Sequence, residues 1–88
     1  MIKISKIEHL GGHLLRVFFN DNSVGEYDFA ELVNEPGPMI EPLQDVAYFQ
    51  RVFLEFGAPT WPNGFDVTPG WLHRELAQSG KLSCPALA

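Results

Sequence analysis

A pair of glycines, Gly11-Gly12, set between two apolar stretches constrains this chain more than any other feature. Ile2 to Leu10 opens with alternation, Ile2 and Ile4 against Lys3 and Ser5, as a half-buried strand does. His13 to Phe19 is a second apolar run. Two glycines accept the positive φ angles of a tight hairpin turn, so the two runs are read as antiparallel neighbours. On the second strand Leu15, Val17 and Phe19 share one face, and Leu14, Arg16 and Phe18 share the other. Such a strand is expected at the centre of a sheet, covered on both sides. The phase slips at Lys6-Ile7, where a bulge is expected. Asn20 to Ser23 is a polar turn cluster, and Val24 to Asp28 returns as a third strand. The opening is a three-stranded meander.

Short helices follow. Asp28-Phe29-Ala30-Glu31 fits a capping box that starts a helix at Phe29 and carries it to about Asn34, before Pro36-Gly37-Pro38 breaks it. Asp45 caps a second one through Gln50. Val52 to Phe56 reads as a strand, Gly57-Ala58-Pro59 as its turn, and Thr60-Trp61 as a returning stub. Pro62-Asn63-Gly64 is turn chemistry, with left-handed φ expected at Asn63 and Gly64. Thr68 caps a last helix with Pro69 at its first position; Trp71, Leu72 and Leu76 point inward, His73 points to solvent, and Gly80 stops it. The fold class is therefore α+β, a mainly antiparallel sheet with short helices and a C-terminal helix. Residues 1–80 are expected to form one domain, and 81–88 a flexible tail. The expected core is Ile4, Leu15, Val17, Phe19, Phe29, Leu32, Phe49, Phe53, Trp61, Leu72 and Leu76.

Eighty-eight residues leave room for one domain, and one this small struggles to enclose a deep active site. Eleven acids against six Lys and Arg give a net charge of −5, which argues against a general binder of nucleic acid. The charge is uneven: residues 1–19 carry +2, residues 20–66 carry −8, and residues 67–88 carry +1. Between Arg16 and Arg51 there is no Lys or Arg at all. That acidic third reads either as a solvated face or as a docking surface for a basic protein. The lone cysteine, Cys84, excludes a disulfide framework and a four-cysteine zinc site. No run approaches a membrane span, and no signal-peptide h-region opens the chain. A reduced, cytoplasmic, soluble domain is the expectation.

Few residues invite chemistry. His9 and His13 flank the glycine turn and could approach across the hairpin, but a metal site wants a third ligand and only Glu8 is near in sequence. Two surface histidines are the plainer reading. Ser5, Ser23, Ser79 and Ser83 lack a nucleophile elbow or a spaced lysine, and Cys84 falls in the tail. The glycines form no phosphate loop. No catalytic, cofactor-binding or metal-ligating residue is assigned, and no cofactor is expected. The most distinctive segment is Trp61-Pro62-Asn63-Gly64-Phe65-Asp66. Turn chemistry accounts for most of it, with Asp66 capping the turn into Thr68. Alternatively Trp61, Asn63, Gly64 and Asp66 form a small recognition surface, because loops carry function disproportionately. Asp28 and Asp45 join them as candidate interaction residues.

Taken in order, these segments resemble the bacterial family catalogued as domain of unknown function 2442. The resemblance rests on Ile2-Lys3-Ile4, Leu14 to Phe19, Gly25-Glu26-Tyr27-Asp28-Phe29, Pro42-Leu43-Gln44-Asp45 with Phe49, the Trp61 to Asp66 signature, and Trp71-Leu72. It covers roughly residues 2–76, the Trp61 to Asp66 signature being its specific part. Two departures stand out: Asp21-Asn22-Ser23 where many members have Asp-Gly, and a longer, proline-rich Asn34 to Glu41. The resemblance implies a small α+β fold and no catalytic residues. Some members carry an added helix-turn-helix domain, for which this chain is expected to be too short, and family genes often neighbour small partners in suspected toxin–antitoxin pairs.

Two functions from different classes are therefore carried forward. One is a non-catalytic interaction module, antitoxin-like or accessory to a small basic protein. The other is a small-ligand or metal-binding domain with weak or no enzymatic activity, using His9, His13 or the Trp61–Asp66 loop. Nucleic acid and membrane are not expected as direct partners. With eleven aromatics and a strand apolar on both faces, a homodimer through a sheet edge or apolar patch, or a monomer that keeps this patch for a partner chain, is expected, unless the 36–42 connection folds over the second face.

Overall fold

Strand β1 (Ile4–Gly11) turns at Gly11-Gly12, both at positive φ, into β2 (Leu14–Phe19), and the Asn20–Ser23 turn leads into β3 (Val24–Asp28). These strands form the expected antiparallel meander in a computed structural model that describes residues 1–83. After β3 come α1 (Ala30–Val33), a 3-10 turn over Glu41–Gln44, and α2 (Val46–Phe49). A separate two-stranded hairpin, β4 (Phe53–Glu55) and β5 (Ala58–Thr60), precedes α3 (Pro69–Gln78) and β6 (Leu82–Ser83). The main sheet has the order β1-β2-β3-β6. The class is α+β.

The bulge in β1 falls at Ser5, one residue before the expected slip: Ile4 opposes Phe19 while Lys6 opposes Phe18. Ser5 Oγ donates to the Phe18 carbonyl at 3.1 Å. A second irregularity between His9 and Gly11 eases the strand into its turn. Strand β2 is central, as its sequence indicates. Leu15, Val17 and Phe19 are buried against the helices. The other face is not covered by a second layer. Leu14, Arg16 and Phe18 are half-buried, clothed by neighbouring long side chains: Lys6 Nζ lies 5.2 Å from the Phe18 ring centre, and Arg16 bridges Glu8 and Glu26. The 36–42 connection does not fold over that face either. Its Leu43 end enters the core, and the Met39 carbonyl accepts from Asn63 Nδ2.

Nine of the expected core residues are buried, but Leu32 is only half-buried and Phe53 is 44% exposed. The β4 alternation explains Phe53. Leu54, paired with the buried Pro59, faces the core, so Phe53 and Glu55 face out. Val33, Leu43 and Val67 complete the core from the end of α1, the 3-10 turn and the approach to α3. The β4–β5 turn sits at Phe56-Gly57 rather than at Gly57-Ala58-Pro59, leaving Pro59 inside β5. A two-stranded ribbon has a free side on each strand, so a residue without an N–H is tolerated there.

Helix α3 starts at the expected Thr68, but the threonine hydroxyl makes no capping bond; Pro69 follows in the first turn. Its end is a Schellman turn: Lys81 N–H reaches the Leu76 carbonyl and Gly80 N–H the Ala77 carbonyl. That turn sends the chain back along β3. Leu82–Ser83, expected to lie in the 81–88 tail, instead pairs with Val24 and Gly25 as β6. Residues 84–88, with Cys84, lie outside the described residues. The helix approaches β3 closely because residue 25 is glycine: a Cβ there would sit 2.8 Å from Leu76 Cδ1 and 3.1 Å from the Lys81 carbonyl oxygen.

Candidate functional site

The Trp61–Asp66 signature is consumed by the fold. Trp61 is fully buried, and its Nε1–H donates to the Phe49 carbonyl at 2.8 Å. Its ring packs on Phe29, Phe49 and Phe65. Gly64 N–H closes a turn onto the Trp61 carbonyl at 2.8 Å, and the left-handed conformation falls on Gly64 alone, φ +91°, not on Asn63. Asn63 is spent at both ends of its amide: Nδ2 on the Met39 carbonyl, Oδ1 accepting from Phe65 N–H. Asp66 forms an isolated bridge with Thr60 and stays exposed. This segment staples the connection after α1 to the hairpin and to α2. Of the candidate recognition residues here, Gly64 and Asp66 face solvent, while Trp61 offers none of its surface.

Asp45 is the N-cap of α2, whereas Asp28 lies one residue before Phe29, the N-cap of α1, so the expected capping box does not form there. The Asp28 carboxylate accepts from Ala30 N–H at 2.9 Å, and that of Asp45 from Ala47 N–H at 3.1 Å. His9 and His13 each pack against the ring of Phe49, with ring centres 6.1 and 4.8 Å from its own. Each has its Nε2 on a backbone carbonyl, Gly12 for His9 and Leu43 for His13. Among the described residues no cluster of three or more His, Cys, Asp or Glu side chains is arranged to hold a metal ion.

His73, expected at the solvent face, is instead packed edge-on against Phe19 with ring centres 4.9 Å apart. Its Nε2 donates to Asp21 Oδ2 at 2.9 Å, and Asp21 Oδ1 accepts from both the hydroxyl and the N–H of the buried Ser23. The order is serine, aspartate, histidine, with the carboxylate in the middle. A nucleophile needs the imidazole between hydroxyl and carboxylate, so this chain of bonds pins the β2–β3 turn to α3 and activates nothing. Hydrogen bonds from Ser23 and then His73 hold the Asp21 carboxyl below its ordinary range.

An open concave surface lies where β3, α1 and α3 meet. Two adjoining grooves of about 390 and 380 Å³ share Asp28 and Lys81. Glu26 lines the first; Glu31, Glu75 and Tyr27 line the second. Glu26 is partnered by Arg16 at 2.8 Å, whereas Glu31 and Glu75 have no cation within ion-pair distance among the described residues. Tyr27 is held by edge-on contacts with Phe29 and Trp71. Its phenol is pushed up from its ordinary pKa, first by desolvation and then by the negative charge of Glu75, Glu31 and Asp28. The acidic run between Arg16 and Arg51 foreshadows Asp28 and Glu31. It could not supply Glu75, which arrives from a segment of net positive charge more than forty residues on.

The family model described as Protein of unknown function (DUF2442) matches residues 4–75. The chain belongs to this family. The DUF2442 match runs from the first residue of β1 into α3 and takes in the Trp61–Asp66 signature together with Tyr27, Asp28, Glu31 and Glu75. Its description assigns no activity, so it lends no role to any DUF2442 residue seen here. No curated protein and no solved structure matches the chain.

Proposed function

We propose that this DUF2442 domain is a non-catalytic protein-interaction module of the bacterial cytoplasm, whose acidic cleft receives a basic segment of a small partner protein, as the antitoxin-like or accessory half of a two-gene pair would. The observation that carries the reading is the open cleft at Asp28, Glu31 and Glu75: Lys81 shares its lining, yet Glu31 and Glu75 have no cation within ion-pair distance among the described residues, and their charge adds to the burial that raises the Tyr27 pKa. Like charges left unpaired on a concave surface favour an incoming Lys or Arg and repel phosphate. Where the chain places histidine, serine and aspartate together, the geometry is that of a turn. No helix among the described residues is long and apolar enough to cross a membrane.

Co-expression with the small basic protein encoded by the neighbouring gene tests this. A complex that survives purification and is lost in Glu31→Lys/Glu75→Lys supports the reading; a partner that binds the double variant as well as wild type, or no basic neighbour that binds at all, overturns it. A second reading, a small-ligand site, has one observation behind it. Leu32, Phe65, Val67 and Trp71 line a hollow of about 180 Å³ beside Asp66. That falls below the roughly 300–1,000 Å³ of ordinary ligand pockets. Under the interaction reading, divalent ions leave the melting temperature unchanged, and His13→Ala does not alter that response.

A further inference from the structure

We propose that the free edge of β1 pairs with a second copy of the same strand, antiparallel about a two-fold axis at Ile7, to make a weak homodimer. In the order β1-β2-β3-β6, β1 is an eight-residue strand hydrogen-bonded along one side only. The Gly57 carbonyl takes the outward Ile4 N–H at 2.9 Å and β4 packs close to β1, but from Ser5 onward no backbone hydrogen bond reaches this side of the strand among the described residues. Ser5, Lys6, His9 and Leu10 are all exposed. An unpaired edge of this length presents backbone donors and acceptors to any matching strand.

The occupant is chosen by charge. Directly opposed residues of antiparallel strands lie on one face of the sheet. Glu8 opposes Arg16, which opposes Glu26, giving a row of alternating sign on the face away from the core. Arg16 lies 3.0 Å from Glu8 and 2.8 Å from Glu26, while Lys6 Nζ is 3.3 Å from Glu8. With the two-fold at Ile7, Lys6 of the second copy falls opposite Glu8, and Glu8 of the second copy opposite Lys6. Each row then continues across the junction as Glu26, Arg16, Glu8 and the second copy's Lys6. On the core face the half-buried Ile7 meets its own copy. A two-fold of this kind makes a closed, self-complementary contact. It uses the sheet edge opposite the acidic cleft, so it stands or falls independently of the cleft's partner.

An edge of about five residues buries far less than the roughly 1,200 Å² of a stable complex, so association is weak. Sedimentation velocity from micromolar to about 1 mM should show a reversible monomer–dimer equilibrium that weakens with salt. Lys6→Glu places four carboxylates together at the junction and should abolish the dimer; Glu8→Lys should do the same with four ammonium groups. Mixed one to one, the two variants complement each other at both pairs and should associate again. Should a variant fail to fold, amide hydrogen exchange on the wild-type chain decides: β1 amides pointing away from β2 should slow as concentration rises. A strictly monomeric wild-type chain, a Lys6→Glu variant that dimerises unchanged, or exchange independent of concentration would overturn the proposal.

Discussion

The Trp61–Asp66 loop and the β3–α3 cleft are opposites. In the loop nearly every polar group finds its partner inside the molecule: Trp61 Nε1 on Phe49, and both ends of the Asn63 amide on backbone. In the cleft Glu31 and Glu75 face solvent across a concavity and their charge is felt by Tyr27. The difference teaches that a distinctive motif can be distinctive because a fold needs it. Tryptophan with a buried N–H, asparagine bridging two segments and glycine at φ +91° are demanding requirements, and together they fix those residue types without any ligand. The cleft makes no such demand on any one residue. It exists because two stretches far apart in sequence, around Tyr27 to Glu31 and around Glu75 to Lys81, converge.

Substitutions can break that contrast, beginning with the loop. Trp61→Ala removes the largest side chain of the core and should cost about 3–5 kcal/mol, a large part of the roughly 4–13 kcal/mol available to a domain of this size. Urea denaturation should show a mostly unfolded or barely stable chain; a loss under about 1 kcal/mol would mean the loop is not the staple described. Asn63→Ala unpairs the Met39 carbonyl and the Phe65 N–H and should cost about 1–2 kcal/mol, with no effect on binding at the cleft.

Acid should loosen the β2–β3 turn from α3. The folded Asp21 carboxyl is held below its ordinary pKa by Ser23 and His73, so its contribution is fully present above the ordinary carboxylate range near 3.9. It is lost as pH falls through the lower, folded value. In Asp21→Asn the dependence of stability on pH below about 4 should flatten, and chemical denaturation at a series of acid pH values reads this directly. An unchanged slope would place the acid sensitivity elsewhere.

The smallest effect on stability, and the sharpest on charge, belongs to the cleft. Glu31→Gln/Glu75→Gln should change stability by no more than about 0.5 kcal/mol. The Tyr27 phenol should nonetheless titrate at lower pH, because two of the negative charges that raise it are gone. NMR titration of the tyrosine ring signals separates Tyr27 from Tyr48. A Tyr27 titration that does not move would show that Glu31 and Glu75 do not contribute to raising it.

Much of the fold was legible because local chemistry decides it. Gly11-Gly12, the alternation in β2 and the Asp45 cap each act within a few residues, and each is found as read. Phe53 was misplaced because a three-residue strand has too little alternation to set its phase without its partner Pro59. Leu82–Ser83 carries no strand signal of its own; the Schellman turn at Gly80 and the open side of β3 make it a strand. His73 looked exposed because its partner, Asp21, lies 52 residues away. The same distance problem hides the cleft. Asp28 was readable as a cap and Glu31 as part of an acidic run, yet neither predicts Glu75 beside them.

The most direct test of the cleft as the partner-facing surface is a titration of the isotopically labelled domain with a short Lys- and Arg-rich peptide at low salt, followed by backbone and side-chain NMR shifts. The account predicts saturable shifts at Tyr27, Asp28, Glu31 and Glu75 that vanish in Glu31→Lys/Glu75→Lys, with the Trp61 indole signal unmoved. Shifts centred on Trp61 to Asp66, or shifts scattered over every acidic residue and unaffected by the double substitution, would contradict it.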